Sequence, residues 1–148
     1  MGQLLLKEAN LDDVHMLTER NQELIREENS ENPMTYSQLY NRMSGFLDND
    51  WRAVFLIIND EIAGYALFRE RENGFDPNQK EIYLRQYLIR KNYRGRGWGR
   101  EGIHLLMSNI FSPNATIHID VLESNPGGRK FWESMGFKPY YINMRLTP

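Results

Sequence analysis

No cysteine occurs anywhere in the 148 residues. That absence excludes disulfide staples, thiolate metal sites and a cysteine nucleophile. Histidine is scarce: His15, His104 and His118 lack the paired spacing of metal ligands, and His15 and His104 read as surface residues. No metal is expected. No apolar run approaches the roughly 20 residues of a membrane span, and the opening residues lack the apolar core of a secretion signal. Position 6 is Leu, not the Ser or Thr of a myristoylation pattern starting Met1-Gly2. The expectation is a cytoplasmic protein with no membrane contact. Repeats, low-complexity tracts and linkers are missing as well. The length suits one domain, 1–148, and the 41% apolar fraction is enough for a two-layer core.

Charge is present but unevenly spread. The chain is net −2, yet residues 1–50 hold four basic side chains against ten acidic ones. Residues 85–100 hold six basic side chains and no acid. Two solvated faces would explain this; so would a bipolar protein that takes an anionic cofactor at one site and a cationic substrate near the other.

Periodicity gives the elements. Residues 3–8 read as a strand, and Asn10 caps a helix that keeps its apolar period to about residue 28. After a polar loop, Thr35 caps a second helix carrying Tyr36, Leu39, Tyr40, Met43, Phe46 and Leu47 on one side. Strands follow at 51–58 and 62–69 around a tight turn, then a polar loop at 70–80 and a central strand at 81–90. A helix is expected over 98–111, a strand over 116–122, and a helix over 126–135 started by Asn125-Pro126. Gly136 is placed to close that helix, and 137–146 alternates as a closing strand. The order β-α-α-β-β-β-α-β-α-β makes an α/β protein: a mixed sheet with helices on its faces, and strands 81–90 and 116–122 parallel.

Strand, glycine loop and helix start come in that order over 85–107, and this arrangement builds an anion site. The first turn of a helix leaves N–H groups unpaired and partially positive. Gly95, Gly97 and Gly99 let a phosphate approach the main chain, while Arg90, Lys91, Arg94, Arg96 and Arg100 add charge. The stretch reads as a diphosphate cradle.

Three other readings of this loop are weaker. Gly97-Trp-Gly-Arg-Glu-Gly102 fits a dinucleotide fingerprint, with Asp120 on the next strand, but the 46 residues after Gly102 are too few for two mononucleotide halves. A Walker A loop fails for want of Gly-Lys-Ser/Thr. Nucleic acid is not expected, because the chain is net acidic and its positive charge is confined to one loop.

The residues resemble the GNAT superfamily of acyl-CoA-dependent N-acetyltransferases. Its Arg/Gln-x-x-Gly-x-Gly/Ala signature is similar to Arg94-Gly-Arg-Gly97-Trp-Gly99. A second signature resembles Asn125-Pro-Gly-Gly128-Arg-Lys-Phe131-Trp132-Glu-Ser-Met-Gly136-Phe137. The likeness covers roughly 81–137. It implies a GNAT-like fold in which main-chain N–H groups of Arg94, Gly95, Arg96, Gly97, Trp98, Gly99 and Arg100 hold the pyrophosphate of acetyl-CoA. It also implies that the edge near Leu88 and Ile89 pairs with the pantetheine and polarises the thioester carbonyl, with Asn125 and the helix after it beside the cofactor.

Two positions depart from the pattern. Gly128 replaces an alanine, and Trp132 replaces a tyrosine often assigned as the acid that protonates the leaving thiolate. An indole N–H cannot give up its proton, which leaves Tyr140, Tyr141 or water for that role. The resemblance implies direct attack by a primary amine on acetyl-CoA, with a base to free the amine's lone pair. Asp120 is the first candidate base, followed by Glu81 and then Tyr83 on the central strand. The acidic first third points to a cationic acceptor, a small molecule or a peptide N-terminus, with Glu27, Glu28 and Glu31 its contacts. A homodimer is a further expectation. A weakly catalytic acyl-CoA-binding module of the same fold is the alternative.

Overall fold

The computed structural model describes residues 2–148; Met1, which opens the myristoylation pattern, lies outside them. Five strands form one sheet in chain order: β1 (Leu4–Glu8), β2 (Arg52–Ile58), β3 (Glu61–Glu72), β4 (Lys80–Ile89) and β5 (Thr116–His118). The first three pairings are antiparallel and β4 runs parallel to β5. Four helices cover the sheet: α1 (Val14–Glu27), α2 (Tyr36–Asp48), α3 (Trp98–Asn109) and α4 (Pro126–Ser134).

The pleat explains the two layers. Alternate residues of a strand face opposite sides, and β2 and β3 are apolar on both. Ala53, Phe55, Tyr65 and Leu67 pack with Val14, Leu17 and Leu24 of α1 and Met43 of α2. Val54, Ala66 and Phe68 pack with Ile103 and Leu106 of α3 and with Phe111. The caps behave as their chemistry requires. Asn10 and Asp13 form a reciprocal capping box at a short 3-10 turn leading into α1, and Thr35 with Gln38 does the same at α2.

A bulge in β4 decides what lies beside it. Leu67 pairs with Gln86 and Phe68 with Leu84, so Arg85 is the extra residue. The bulge re-phases the strand: Ile82 and Leu84 join the α3 side, whereas Leu88 joins the α1 side. The β5 ladder stops at Tyr83–His118, just before this bend.

Two expected strands are corrected. The strand expected over 116–122 is only Thr116–His118, because the bulged β4 offers residues 119–122 no ladder partner. The closing strand expected over 137–146 does not form. Residues 137–148 take no regular structure, and Tyr140, Ile142, Met144 and Leu146 are exposed. Pro139 removes a ladder donor three residues into the segment, and a three-residue β5 offers it a short edge.

Close approach of backbones fixes β4 against β3. A Cβ on Gly64 would collide with the Leu88 carbonyl oxygen, a main-chain atom that cannot swing aside. Gly64→Ala is therefore expected to cost at least the ~1–3 kcal/mol of ordinary overpacking. Gly45→Ala, in α2 with open space around the new methyl, is expected to gain about 0.5–1 kcal/mol. Urea unfolding of the two variants checks both signs.

Candidate active site

From Leu84 to Ile89, β4 is paired on its β3 side and bare on its β5 side. The Arg90 N–H donates to the Ala63 carbonyl at 2.8 Å. Antiparallel ladders alternate, so Leu88 and Gln86 also turn their main-chain groups to β3. Tyr87 and Ile89 turn theirs to the open edge. The Ile89 carbonyl already accepts from Arg94 Nε there, at 2.8 Å. Leu88, named from the sequence beside Ile89, has its side chain in the α1-side core.

The loop after β4 runs straight into α3. Gly95 and Gly97 take positive φ (77° and 82°), and Gly97 is the N-cap of α3 without a capping side chain. Among the described residues, the amides of Gly95, Arg96, Gly97, Trp98, Gly99 and Arg100 find no hydrogen-bond acceptor. Six consecutive free amides at the positive end of a twelve-residue helix form an anion site of the kind phosphates occupy. Gly102 lets α3 lie on the sheet: a Cβ there would strike the Tyr87 hydroxyl and Leu56. The Tyr87 hydroxyl donates to the Gly99 carbonyl at 2.7 Å, tying the first turn of α3 to β4.

The loop's arginines are partly compensated. Arg90 meets Glu23 at 3.2 Å and Arg94 meets Glu27 at 3.0 Å, both from α1. Arg100 donates to the Ser134 carbonyl at 3.1 Å. Lys91 and Arg96 have no carboxylate partner among the described residues. The acidic first third and the basic loop are thus partners in part. Glu27 is held by the loop rather than turned to a substrate, while Glu31 is exposed.

Two of the three candidate proton-transfer residues come together. Tyr83 donates to Asp120 at 2.5 Å, at the point where β4 and β5 part. Burial first, then the bond to Asp120 and its charge, push the Tyr83 hydroxyl up to about 12. Glu81 is engaged elsewhere: Arg71 donates to it at 3.0 Å and Asn73 at 2.8 Å, and His118 stands 3.6 Å away.

The second signature has a structural basis as well. Asn125 caps α4 by accepting the Gly128 N–H at 3.0 Å, and a Cβ on Gly128 would crowd the Asn125 amide. Gly128 therefore suits this cap where alanine would press on it. At the far end, Gly136 (φ 100°) donates to Glu133 and Phe137 donates to Trp132, both at 3.0 Å. This is a Schellman closure with its apolar contact, the Trp132 and Phe137 rings 5.2 Å apart. Trp132 also lies 5.6 Å from the Tyr87 ring.

Sequence reasoning missed a buried polar cluster on the α1 side of β4. Tyr65, fully buried, donates to Gln86 Oε1 at 2.7 Å, and Arg42 donates to Asn21 at 3.1 Å. Glu28, at the C-terminal end of α1, and Arg42 both act on the Tyr65 hydroxyl, which burial pushes far above its usual range. The signal available was Asn21 at an otherwise apolar position of the helix period, together with Gln86 inside a strand.

The chain belongs to the GNAT family of acetyltransferases, whose model matches residues 16–137. No curated protein matches it significantly in sequence. Solved structures share the fold at low identity. A possible acetyltransferase from Clostridium difficile 630 superposes with TM-score 0.77 at 15% identity, covering 98% of this chain and 97% of that one. A predicted acetyltransferase with acetyl-CoA from Clostridium acetobutylicum gives 0.74 at 16%, covering 98% and 96%. An aminoglycoside N-acetyltransferase in complex with CoA gives 0.74 at 10%, covering 100% and 96%. Family membership carries acyl transfer, with acetyl-CoA as the family's donor.

Burial raises the Glu28 carboxyl above the 4.5 of a free side chain. The folded protein therefore binds this proton more tightly than the unfolded one. The resulting stability is present below the unfolded pKa and is lost as pH rises through the folded value. Glu28→Gln removes the penalty of the charged form. Its Tm is expected to exceed that of the wild type at pH 7, with the gap closing near the free carboxyl's 4.5. Thermal melts across that range check the sign.

Proposed function

We propose that this protein transfers the acetyl group of acetyl-CoA to a primary amine that arrives as a cation, a small molecule or a peptide N-terminus, by direct attack. One observation carries the reading: six free amides at the start of α3 adjoin an unpaired stretch of β4. The first suits a diphosphate, and the second suits an extended amide-bearing arm that adds to the sheet as a short extra strand. The residues present therefore fit the donor. Acetyl-CoA supplies an activated thioester when bound; the chain supplies position, a proton acceptor and a fixed dipole.

The costs set the roles. An alkylammonium of pKa about 10.4 is only about 0.1% neutral near pH 7.4, so freeing its lone pair costs about 4 kcal/mol. Asp120, at the parting of β4 and β5, takes that proton directly or through a water. Tyr83 keeps its own proton and donates to Asp120, fixing the carboxylate's direction. As the nitrogen bonds to the carbonyl carbon, the C–S bond breaks and the sulfur leaves as thiolate. The nitrogen gives up its second proton to thiolate or solvent. The Ile89 or Tyr87 amide on the open edge donates to the carbonyl oxygen as it gains charge. Glu28, at the end of α1, meets the incoming ammonium as a carboxylate, the cation's charge offsetting the burial that otherwise favours its neutral form.

A second reading, an acyl-CoA-binding module with little turnover, is favoured by Trp132, whose ring is committed to Phe137 and Tyr87. Thiol release from acetyl-CoA across an amine panel separates the two, since binding heat without thiol release supports the module. Asp120→Asn is expected to lower kcat by about 10²-fold or more, with acetyl-CoA affinity unchanged. Wild-type turnover in that variant would remove Asp120 from the mechanism. Gly97→Val strains a residue held at φ 82° and is expected to weaken acetyl-CoA binding by at least about tenfold. Calorimetry reads this directly, and absence of acetyl-CoA heat from the wild type would overturn the cradle.

A further inference from the structure

Most arginines in this chain face a carboxylate or a carbonyl: Arg52 meets Glu8, Arg71 meets Glu81, Arg90 meets Glu23, and Arg94 meets Glu27. Arg42, Arg69 and Arg85 are different. They converge from α2, β3 and the β4 bulge onto two aromatic rings, with no carboxylate partner among the described residues. Arg42 and Arg85 share Phe46, at 5.6 and 5.1 Å from its centroid. Arg69 and Arg85 share Trp51, at 4.9 and 5.8 Å. Phe46 and Trp51 are themselves 5.1 Å apart.

A guanidinium lying over a ring keeps its in-plane N–H groups available, and their fork matches a carboxylate. Two of these donors, Arg42 Nε and Arg69 Nε, are buried without an acceptor. Leaving a buried donor unmet is costly, and the positive charge gathered here favours an anion. Burial, and then the like charge of Arg85, loosen the hold of Arg42 on its proton. An anion would relieve that repulsion.

Position links this cluster to the reaction. Arg85 is the bulge residue, one step from Gln86 and two from Tyr83. The Tyr83 ring is 5.8 Å from Trp51, and its hydroxyl meets Asp120. A proton acceptor and the guanidinium groups of Arg69 and Arg85, which have no carboxylate partner among the described residues, thus flank the same tyrosine.

We propose that Arg42, Arg69 and Arg85 bind a carboxylate carried by the amine acceptor, so that the acceptor is an α-amino acid or a similarly compact zwitterion. The proposal rests on the acyl-transfer reading and narrows its cationic acceptor to one carrying both charges. The ammonium is directed to Asp120 and the carboxylate to the arginines. Arg85 is exposed, so its substitution leaves the core intact.

The test uses matched pairs on the full chain: L-alanine with ethylamine, L-leucine with isopentylamine, L-phenylalanine with phenethylamine. At least one amino acid is expected to show kcat/KM about tenfold or more above its decarboxylated partner. Arg85→Gln and Arg69→Gln are expected to raise KM for that amino acid by about tenfold while leaving kcat and the matched amine alone, and Arg85→Lys should recover part of the loss. Equal or better use of the decarboxylated amines, or an equal loss for both members of a pair, overturns the proposal. Calorimetry with the same amino acids needs no turnover. Heat in the wild type that is lost in Arg85→Gln supports the site, and no heat in the wild type overturns it. Acetyl-CoA heat and amine acetylation without carboxylate binding would leave acyl transfer standing and remove only this inference; carboxylate heat without acetyl-CoA heat would remove the acyl-transfer reading, and with it the acceptor assignment, leaving only a carboxylate site.

Discussion

One strand hydrogen-bonded along its whole length on one side and for only three residues on the other sets the rest of this structure. β4 pairs with β3 from Lys80 to Ile89 but with β5 only from Glu81 to Tyr83. Main-chain groups left bare in a folded protein must meet water or a ligand. Several independent features hold the edge open. The Arg85 bulge turns β4 away from β5. Gly64 lets β3 approach closely enough to keep the paired side tight, and Gly102 lets α3 lie down over Tyr87. The bond from Tyr87 to the Gly99 carbonyl then fixes the amide cluster of α3 relative to the edge. Edge and cluster are one rigid unit because a side chain of the edge strand anchors the helix start.

Electrostatics follow from the same placement. The acid-rich first helix and the basic loop look like separate poles in the sequence, but the fold brings them together through Glu23–Arg90 and Glu27–Arg94. The exposed Glu27–Arg94 pair contributes little stability, a median of about 0–1 kcal/mol for such pairs, and the Glu23–Arg90 pair is half-buried. Their effect is on the loop: Arg94 bridges Glu27 and the Ile89 carbonyl, holding the turn where the free amides begin. Lys91 and Arg96 have no carboxylate partner there among the described residues. The arginines at the β4 bulge form a second positive region on the α1 and α2 side of the sheet, invisible to a charge count because Arg42, Arg69 and Arg85 are scattered along the chain.

Local chemistry was legible in the sequence, and long-range register was not. The caps at Asn10, Thr35 and Asn125 and the closure at Gly136 depend on residues within a few positions, and each forms. Apolar period located four helices and the first four strands. β5 and the tail misled because alternation shows a segment able to be a strand, whereas a strand needs a partner. Residues 119–122 lost theirs at a bulge encoded by the relation of β3 to β4, and 137–146 alternates but begins with Phe137 locked onto Trp132 and Pro139 close behind. The loop amides could be foreseen because glycine spacing and helix start are contiguous. The Tyr65–Gln86–Asn21–Arg42 cluster was only hinted at, by Asn21 and Gln86 at otherwise apolar positions, since it draws one residue from each of four elements.

Trp132 then bears on which end of the reaction is demanding. Its ring serves the Schellman closure of α4 and packs on Tyr87, and the Tyr87 hydroxyl is committed to Gly99 and driven by burial far above its usual range. Neither is a proton donor for a leaving thiolate. An alkyl thiol of pKa about 8.5 departs as an anion near pH 7.4 at a cost of only about 1.5 kcal/mol. Freeing the amine of its proton costs about 4 kcal/mol under the same conditions. A chain with a tryptophan at this place loses help where help is worth least. On the proposed reading, Asp120 held by Tyr83 and the guanidinium cluster beside it serve the acceptor end, where the larger cost lies.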